Sequence, residues 1–247
     1  MVSSRYLSQE LFAGFGQEGQ EKLLESRVLL VGCGALGSNT SELMARAGVG
    51  FLRLVDGDQV ELANLHRQLL FTEEDASMGR LKVYSARERL EKVNSEIEYD
   101  IYDKKFTVEN GHRLAEDVDI IMDCTDNPEA RRAIDKTARE LEIPWVYGGV
   151  AASVGMAKFV AGHKNESINS WFDFESGEAM FSPCQDGVLN TIPSLVSNIQ
   201  CTEAYKYLTG NEDKITGNLF YIDLWESNFD VVELADPEEM QELEESQ

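Results

Sequence analysis

A glycine-rich turn after an apolar run gives this sequence its first sign of chemistry. Residues 28–31 read Val-Leu-Leu-Val and lead directly into Gly-x-Gly-x-x-Gly, whose glycines are Gly32, Gly34 and Gly37. Such glycines allow a tight turn, a close approach of backbone to phosphate, and close packing of the helix that follows. A second apolar run ends in Asp56, 24 residues after Gly32, where a carboxylate can accept hydrogen bonds from ribose hydroxyls. The spacing predicts a nucleotide site that comprises Gly32, Gly34, Ala35, Gly37 and Asp56.

Basic side chains beyond Asp56 favour a triphosphate as the ligand. Asp58 follows closely, and then Asn64 and Arg67 stand three residues apart, so they share a face if their segment is helical. A guanidinium binds phosphate oxygens in a bidentate manner. Lys82 lies near the predicted start of a helix, where its charge opposes the helix dipole. A solvated lysine would explain Lys82 alone, but beside Arg67 a phosphate ligand is the better interpretation.

A third polar cluster follows an apolar strand and reads Asp123-Cys124-Thr125-Asp126-Asn127. Ligands of open α/β sheets bind beyond the carboxyl ends of the strands. Asp126 is a candidate Mg²⁺ ligand, because this ion prefers carboxylate and phosphate oxygens. Its position also fits the N-cap of the next helix, and the two roles are compatible. Asn127 and Arg131 are further candidates for contact with the nucleotide.

The elements that position these residues alternate between strand and helix. Strands are predicted at 27–32, 51–56, 96–102, 118–124 and 144–148, and helices at 36–47, 80–93, 107–116, 127–141 and 191–208, with residues 57–82 irregular apart from a helical turn near Leu62. This pattern predicts an α/β fold with a doubly wound, mostly parallel, Rossmann-like sheet. Apolar segments at 155–162, 219–224 and 229–234 predict an antiparallel C-terminal extension. The expected organisation is an N-terminal helical segment (1–26), a nucleotide-binding core (27–150), a C-terminal substrate part of the same domain (151–234) and an acidic tail (235–247).

Composition excludes several classes of partner. The chain has 22 basic and 45 acidic residues and a net charge of −23, which argues against nucleic acid and anionic membranes. It has no apolar run of membrane-spanning length and no signal-peptide pattern, so a cytoplasmic location is expected. None of the four cysteines forms a Cys-x-x-Cys pair, so we predict no zinc site.

Five segments together resemble the ThiF/MoeB/HesA family, the prokaryotic relatives of ubiquitin-activating E1 enzymes. They are Arg5-Tyr6 with Gln9, Gly32-Cys33-Gly34-Ala35-Leu36-Gly37, Asp56-Gly57-Asp58 with Asn64-Leu65-His66-Arg67-Gln68, Gly79-Arg80-Leu81-Lys82, and Asp123-Cys124-Thr125-Asp126-Asn127. The resemblance implies a homodimer that binds MgATP and converts a carboxylate into an acyl-adenylate with release of pyrophosphate. It implies that Asp56 binds ribose, that Asn64, Arg67 and Lys82 bind phosphates, and that Asp126 binds Mg²⁺.

The chain departs from this family pattern in three places. Many members carry a second arginine near the N-terminus, and here that position is Ser8; Arg5 or Arg80 is a candidate substitute. The zinc-binding cysteine pairs of relatives are absent. Cys184 lies in a segment where some members carry a reactive cysteine, but the nearby Asp186 opposes thiolate formation. A covalent role for Cys184 is therefore the less favoured interpretation.

Several functions remain compatible with the sequence. The resemblance favours adenylation of the C-terminal glycine of a ubiquitin-like sulfur carrier protein. A small-molecule carboxylic acid is the alternative substrate, as in the biosynthesis of the guanylylpyridinol cofactor of Fe-hydrogenase. A NAD-dependent oxidoreductase would explain the glycine turn and Asp56, but not Arg67, Lys82 and Asp126. The same three residues argue against a scaffold that has lost catalysis.

Overall fold

The computed structural model describes residues 4–163, 167 and 187–234, and this part of the chain contains one eight-stranded sheet. Its strands, in chain order, are β1 (Arg27–Val31), β2 (Phe51–Val55), β3 (Glu98–Tyr102), β4 (Ile120–Asp123), β5 (Trp145–Ala151), β6 (Val154–Val160), β7 (Leu219–Asp223) and β8 (Asn228–Val232). The spatial order is β3-β2-β1-β4-β5-β6-β7-β8. Pairing is parallel from β3 to β5 and antiparallel from β5 to β8.

Helices cover both faces of this sheet. They are α1 (Leu7–Glu10), α2 (Gly16–Glu25), α3 (Ala35–Ala47), α4 (Glu73–Ser77), α5 (Lys82–Val93), α6 (Val108–Ala115), α7 (Pro128–Leu141) and α8 (Thr191–Leu208), with 3-10 turns at Ser4–Tyr6, Leu62–Asn64 and Glu212–Lys214. Side chains from α2, α3, α5 and α8 build one apolar core on one face. Side chains from α6 and α7 build a second core on the other face. The predicted doubly wound α/β fold with an antiparallel extension is confirmed.

The strand order places a crevice where the candidate residues lie. β1 pairs with β2 on one side and with β4 on the other, so the chain reverses its direction of winding at β1. Open α/β sheets bind ligands outside the carboxyl ends of the strands at such a point. The glycine turn follows β1, Asp56 follows β2, and the segment 124–127 follows β4. The topology therefore brings all three predicted clusters to one edge of the sheet.

The structure corrects the prediction at two places between these elements. Residues 73–77, predicted to be irregular, form α4, because Thr72 and Asp75 make a reciprocal capping box. The N-cap of α7 is Asn127 and not Asp126: Asn127 Oδ1 accepts from the Ala130 N–H at 2.8 Å. The Asp126 side chain is thus not used as the helix cap.

Some expectations fall on residues outside the described part of the chain. These are Cys184 with Asp186, most of the substrate segment between residues 163 and 187, and the acidic tail. Within the described residues, none of the helices is both long enough and apolar enough to cross a membrane.

The close packing of β1 against α3 makes Gly37 a stringent test of the fold. A Cβ at Gly37 would lie 2.0 Å from the Gly32 carbonyl oxygen, whereas a Cβ at Gly34 would meet only Gln68 Nε2, at 3.7 Å. We expect Gly37→Ala to lower the free energy of unfolding by about 1–3 kcal/mol, because backbone must move. Gly34→Ala should lower the free energy of unfolding by less than about 1 kcal/mol. Chemical denaturation measures both, and equal losses would contradict this account.

Candidate active site

A cavity of about 1180 Å³ opens at the carboxyl ends of β1, β2, β3 and β4. The predicted residues that line it are Gly32, Gly34, Ala35, Asp56, Asp58, Asn64, Arg67, Lys82, Asp126 and Asn127. Gly37 lies behind this lining, in the contact between β1 and α3. Arg131 does not line the cavity either. The structure thus gathers nearly all the predicted positions around one space.

The glycine turn shapes one wall of this cavity. Gly32 has a positive φ of 96°, and a Cβ there would lie 2.6 Å from the Cys124 carbonyl oxygen. Gly34 is the N-cap residue of α3, and no described side chain caps that helix end. The first N–H groups of α3 therefore remain available to an anion, whose charge the helix dipole favours.

The Asp56 carboxylate connects this turn to the segment after β2. One carboxylate oxygen accepts from the Cys33 N–H at 2.7 Å, and the other accepts from the Asp58 N–H at 2.8 Å. Burial raises the pKa of Asp56 above its ordinary value, although Lys82 and these two amides act in the opposite direction. Each oxygen keeps a second lone pair, so the carboxylate can still accept from a ribose hydroxyl.

Lys82 is the buried cation of the site. It is the first residue of α5 and is only 6% exposed. Its Nζ lies 3.1 Å from Asp58 Oδ2 and 3.9 Å from Asp56 Oδ2. Burial lowers the pKa of Lys82, but the two carboxylates outweigh burial, so that its pKa is above the ordinary value. Lys82 therefore keeps its charge at neutral pH.

Asn64 and Arg67 contact each other as their spacing predicts. Residues 62–64 form a 3-10 turn, and the Arg67 guanidinium donates to Asn64 Oδ1 at 2.8 Å. Asn64 in turn donates to Glu61 Oε2 at 3.1 Å. Arg67 is half-buried and lines the cavity, so these contacts hold its guanidinium at the cavity wall.

A buried ion pair supports the turn that carries Asp126. Asp123 accepts from the Thr125 N–H and hydroxyl with one oxygen, and from Arg131 Nε with the other. Arg131 also donates to the carbonyl oxygens of Thr125 and Gly148. Arg131 therefore fixes the turn that follows β4, although it does not itself line the cavity. Contact of Arg131 with the nucleotide stays a prediction, and this placement disfavours it.

The structure adds lining residues that sequence reasoning missed. Lys104 and Lys105 follow β3, Thr107 caps α6, Arg132 lies on α7, and Gln68 follows Arg67. A signal for the two lysines was present, because they follow the carboxyl end of a predicted parallel strand. Gln68 ends the segment Asn64-Leu65-His66-Arg67-Gln68, in which roles are predicted only for Asn64 and Arg67. Arg132 lines the cavity where its neighbour Arg131 does not.

The proposed substitutes for the missing N-terminal arginine are engaged elsewhere in this chain. Arg5 donates to the Val93 carbonyl oxygen and pairs with Glu96. Arg80 pairs with Asp75 and Glu88. Neither lines the cavity of its own chain, and Ser8 is exposed.

The described cysteines show no reactive character. Cys33, Cys124 and Cys201 are buried free thiols. Burial raises the pKa of each above that of an ordinary thiol. No cluster of three metal-ligating side chains occurs among the residues that the structure describes. The prediction of no zinc stays a prediction, because Cys184 lies outside them.

Comparison with known proteins gives this geometry a family. A family model described as the ThiF family matches residues 6–243. The chain belongs to the ThiF family. A sulfur carrier protein ThiS adenylyltransferase of Bacillus subtilis (strain 168) is 35% identical over 235 residues, which are 95% of this chain and 69% of the relative. A molybdopterin-synthase adenylyltransferase of Haemophilus influenzae is 33% identical over 230 residues, 93% of this chain and 94% of the relative.

Other proteins similar to this chain are longer or more distant in sequence. The adenylyltransferase and sulfurtransferase MOCS3 of Culex quinquefasciatus is 34% identical over 92% of this chain, and the chain spans about half (51%) of its length. A crystal structure of E. coli MccB with succinimide has a TM-score of 0.80 at 21% identity, over 93% of this chain and 71% of that chain. These findings confirm the predicted family, the fold and the adenylyltransferase class.

The buried position of Arg131 leads to a stability test. Arg131→Ala should lower the free energy of unfolding by about 3–5 kcal/mol, because it leaves the buried Asp123 carboxylate without its partner. Arg131→Lys should lower the free energy of unfolding by a smaller amount, because lysine keeps the positive charge. Some loss remains, because lysine lacks the several fixed donors of the guanidinium. Urea denaturation provides the measurement. Arg113→Ala, an exposed change on α6, is the control and should stay within about 0.5 kcal/mol. Unchanged stability of Arg131→Ala, with weakened ATP binding, would restore the phosphate-ligand interpretation.

Proposed function

We propose that this ThiF-family protein adenylates the C-terminal carboxylate of a ubiquitin-like sulfur carrier protein. The observation that carries the proposal is the cavity itself. The Lys82 ammonium, the Arg67 guanidinium and the Asp126 carboxylate surround one space together with the N-terminus of α3, which no described side chain caps. Relatives named for the sulfur carrier ThiS and for molybdopterin synthase support the choice of substrate.

In the proposed reaction a carboxylate oxygen of the substrate attacks the α-phosphorus of ATP. A bond forms between this oxygen and phosphorus, the bond from phosphorus to the bridging oxygen of pyrophosphate breaks, and the bond electrons leave with pyrophosphate. The attacking carboxylate is already ionised near neutral pH, so no general base is required. The task of the protein is to position two anions and to neutralise the charge that accumulates.

The described side chains divide this task between the parts of ATP. Asp56 accepts from the ribose hydroxyls while it holds the turn at Cys33. Lys82 has three donors and an exposed partner in Asp58, so it can turn an N–H toward phosphate while Asp56 remains within reach. Arg67, held by Asn64, donates to the outer phosphates.

The donor set around Asp126 fits Mg²⁺. Its carboxylate is exposed at the cavity and is not engaged as the helix cap, since Asn127 fills that role. Mg²⁺ is held in proteins by one or two carboxylates together with substrate phosphates. Bound there, it would neutralise phosphate charge during the reaction. We also propose, from the family resemblance, that the enzyme is a homodimer.

The roles of Lys82 and Asp126 predict a specific loss of activity. Lys82→Ala and Asp126→Ala should each lower carboxylate-dependent ATP–pyrophosphate exchange at least about 10²-fold, because each removes charge compensation at the phosphates. Lys92→Ala, an exposed change on the same helix as Lys82, is the matched control and should keep wild-type exchange. Retained exchange in either site variant would refute the role assigned to that residue.

The substrate is tested by the same exchange reaction with different carboxylates. We expect exchange with a sulfur carrier protein that ends in Gly-Gly, and none after its terminal glycine is removed, since no carboxylate then reaches the α-phosphate. A panel of small carboxylic acids, including pyridine carboxylates, is the comparison. Exchange with a small acid and with no carrier protein would replace the carrier by a small-molecule substrate. Exchange with neither would contradict the proposed reaction.

A further inference from the structure

Asp58 is an acidic residue beside the principal cation of the cavity, and the proposed mechanism gives its carboxylate no task of its own. Its Oδ2 lies 3.1 Å from Lys82 Nζ. The Asp58 side chain is 62% exposed, whereas the Lys82 side chain is 8% exposed. Both residues line the cavity. A carboxylate at this distance from a proposed phosphate-binding ammonium opposes the approach of phosphate, because like charges repel.

The backbone of Asp58, and not its side chain, joins the segment after β2 to α5. The Asp58 N–H donates to Asp56 Oδ1 at 2.8 Å, and the Asp58 carbonyl oxygen accepts from the Lys82 N–H at 2.9 Å. One residue further on, Gln59 and Leu81 form an antiparallel bridge. Within the described part of the chain, Lys82 is the one polar partner of the Asp58 carboxylate. A change confined to this side chain therefore leaves the backbone contacts in place.

Lys82 has a second carboxylate that balances its charge. Asp56 is buried, and its Oδ2 lies 3.9 Å from Lys82 Nζ. A buried ammonium needs a partner of opposite charge, and Asp56 remains in that role when Asp58 is removed. The exposed Asp58 carboxylate adds little to stability, because solvent weakens its ion pair. Asp58 is thus the exchangeable partner of Lys82, and Asp56 is the permanent one.

We propose that the Asp58 carboxylate competes with a nucleotide phosphate for the Lys82 ammonium, an inference that rests on the proposed ATP site. The ammonium has three N–H donors, and a phosphate oxygen in the cavity replaces Asp58 as the acceptor of one of them. The Asp58 carboxylate then turns toward solvent, where water satisfies it. Binding of phosphate includes the loss of this ion pair, so Asp58 lowers the affinity of the site for phosphate. Asp58 is in this sense a positioning residue that acts through Lys82.

Adenosine and ATP with Mg²⁺ separate the phosphate contact from the rest of nucleotide binding. Calorimetry gives the dissociation constants of both for the wild type and for Asp58→Asn, whose amide keeps the size of the side chain but removes its charge. We expect Asp58→Asn to bind ATP about tenfold more tightly, with adenosine binding unchanged. A merely structural role would weaken binding instead. Asp213→Asn, which removes the carboxylate of an exposed pair with Lys214 outside the cavity, is the matched control and should change neither constant.

The Lys82→Ala background tests whether the gain in affinity depends on Lys82. Without the ammonium there is nothing to compete for, so Asp58→Asn should then change ATP affinity less than about twofold. A tenfold gain in that background shows general repulsion by Asp58 and overturns the proposed competition. If Lys82→Ala binds ATP too weakly to measure, a crystal structure of the wild type with ATP decides. It should show Lys82 Nζ on a phosphate oxygen and parted from Asp58, and an intact pair of Lys82 with Asp58 overturns the proposal.

The remaining results of the calorimetry also have one meaning each. Unchanged or weaker binding of ATP by Asp58→Asn overturns the competition and leaves the ATP site standing. An equal gain for adenosine overturns it too, because adenosine carries no phosphate. Failure of the wild type to bind ATP contradicts the proposed function itself. Thermal unfolding identifies a variant that fails to fold, and Asp58→Ser then replaces Asp58→Asn.

Discussion

The carboxylate of Asp56 is the contact on which the candidate active site depends. Its two oxygens accept from the Cys33 and Asp58 amides, and one of them lies 3.9 Å from Lys82 Nζ. These three partners belong to the turn after β1, the segment after β2 and the start of α5. One buried side chain thereby sets the relative positions of the glycine turn and the principal cation. The two backbone amides hold the Asp56 carboxylate in one orientation.

A second buried carboxylate performs the corresponding task at the next strand. Asp123 ends β4, and its pairing with Arg131 and Thr125 fixes the turn that leads to Asp126. Burial raises the pKa of Asp123, while Arg131 and Thr125 lower it. Because β1 lies between β2 and β4 in the sheet, these two carboxylates stand on either side of the glycine turn. The edge of the sheet that carries the cavity is therefore held by two buried carboxylates, each of which accepts from backbone amides.

Sequence reasoning predicted the fold and the contact of Arg67 with Asn64 because both follow from local rules. Periodicity separates strands from helices, and a three-residue spacing brings Asn64 to Arg67 on one short turn. The inward position of Arg131 was harder to foresee. Arg131 precedes the buried Ile134 by three residues, which places it on the apolar face of α7. Only the fold shows that Asp123 lies within hydrogen-bond distance of Arg131 on that face. Lys104 and Lys105 were missed since their approach to Gly57 is a contact between distant segments.

Charge balance in the cavity also explains why a net charge of −23 does not exclude an anionic substrate. The charged residues that line the cavity, among those described, are the basic Arg67, Lys82, Lys104, Lys105 and Arg132 and the acidic Asp56, Asp58, Glu61, Glu109, Asp126 and Glu129. Five cations against six carboxylates leave the lining close to neutral, in contrast to the chain as a whole. A triphosphate adds several negative charges that this lining alone does not offset. In the proposed reaction a divalent cation held by Asp126 would offset part of this charge, because a second anion, the attacking carboxylate, must still approach the α-phosphate.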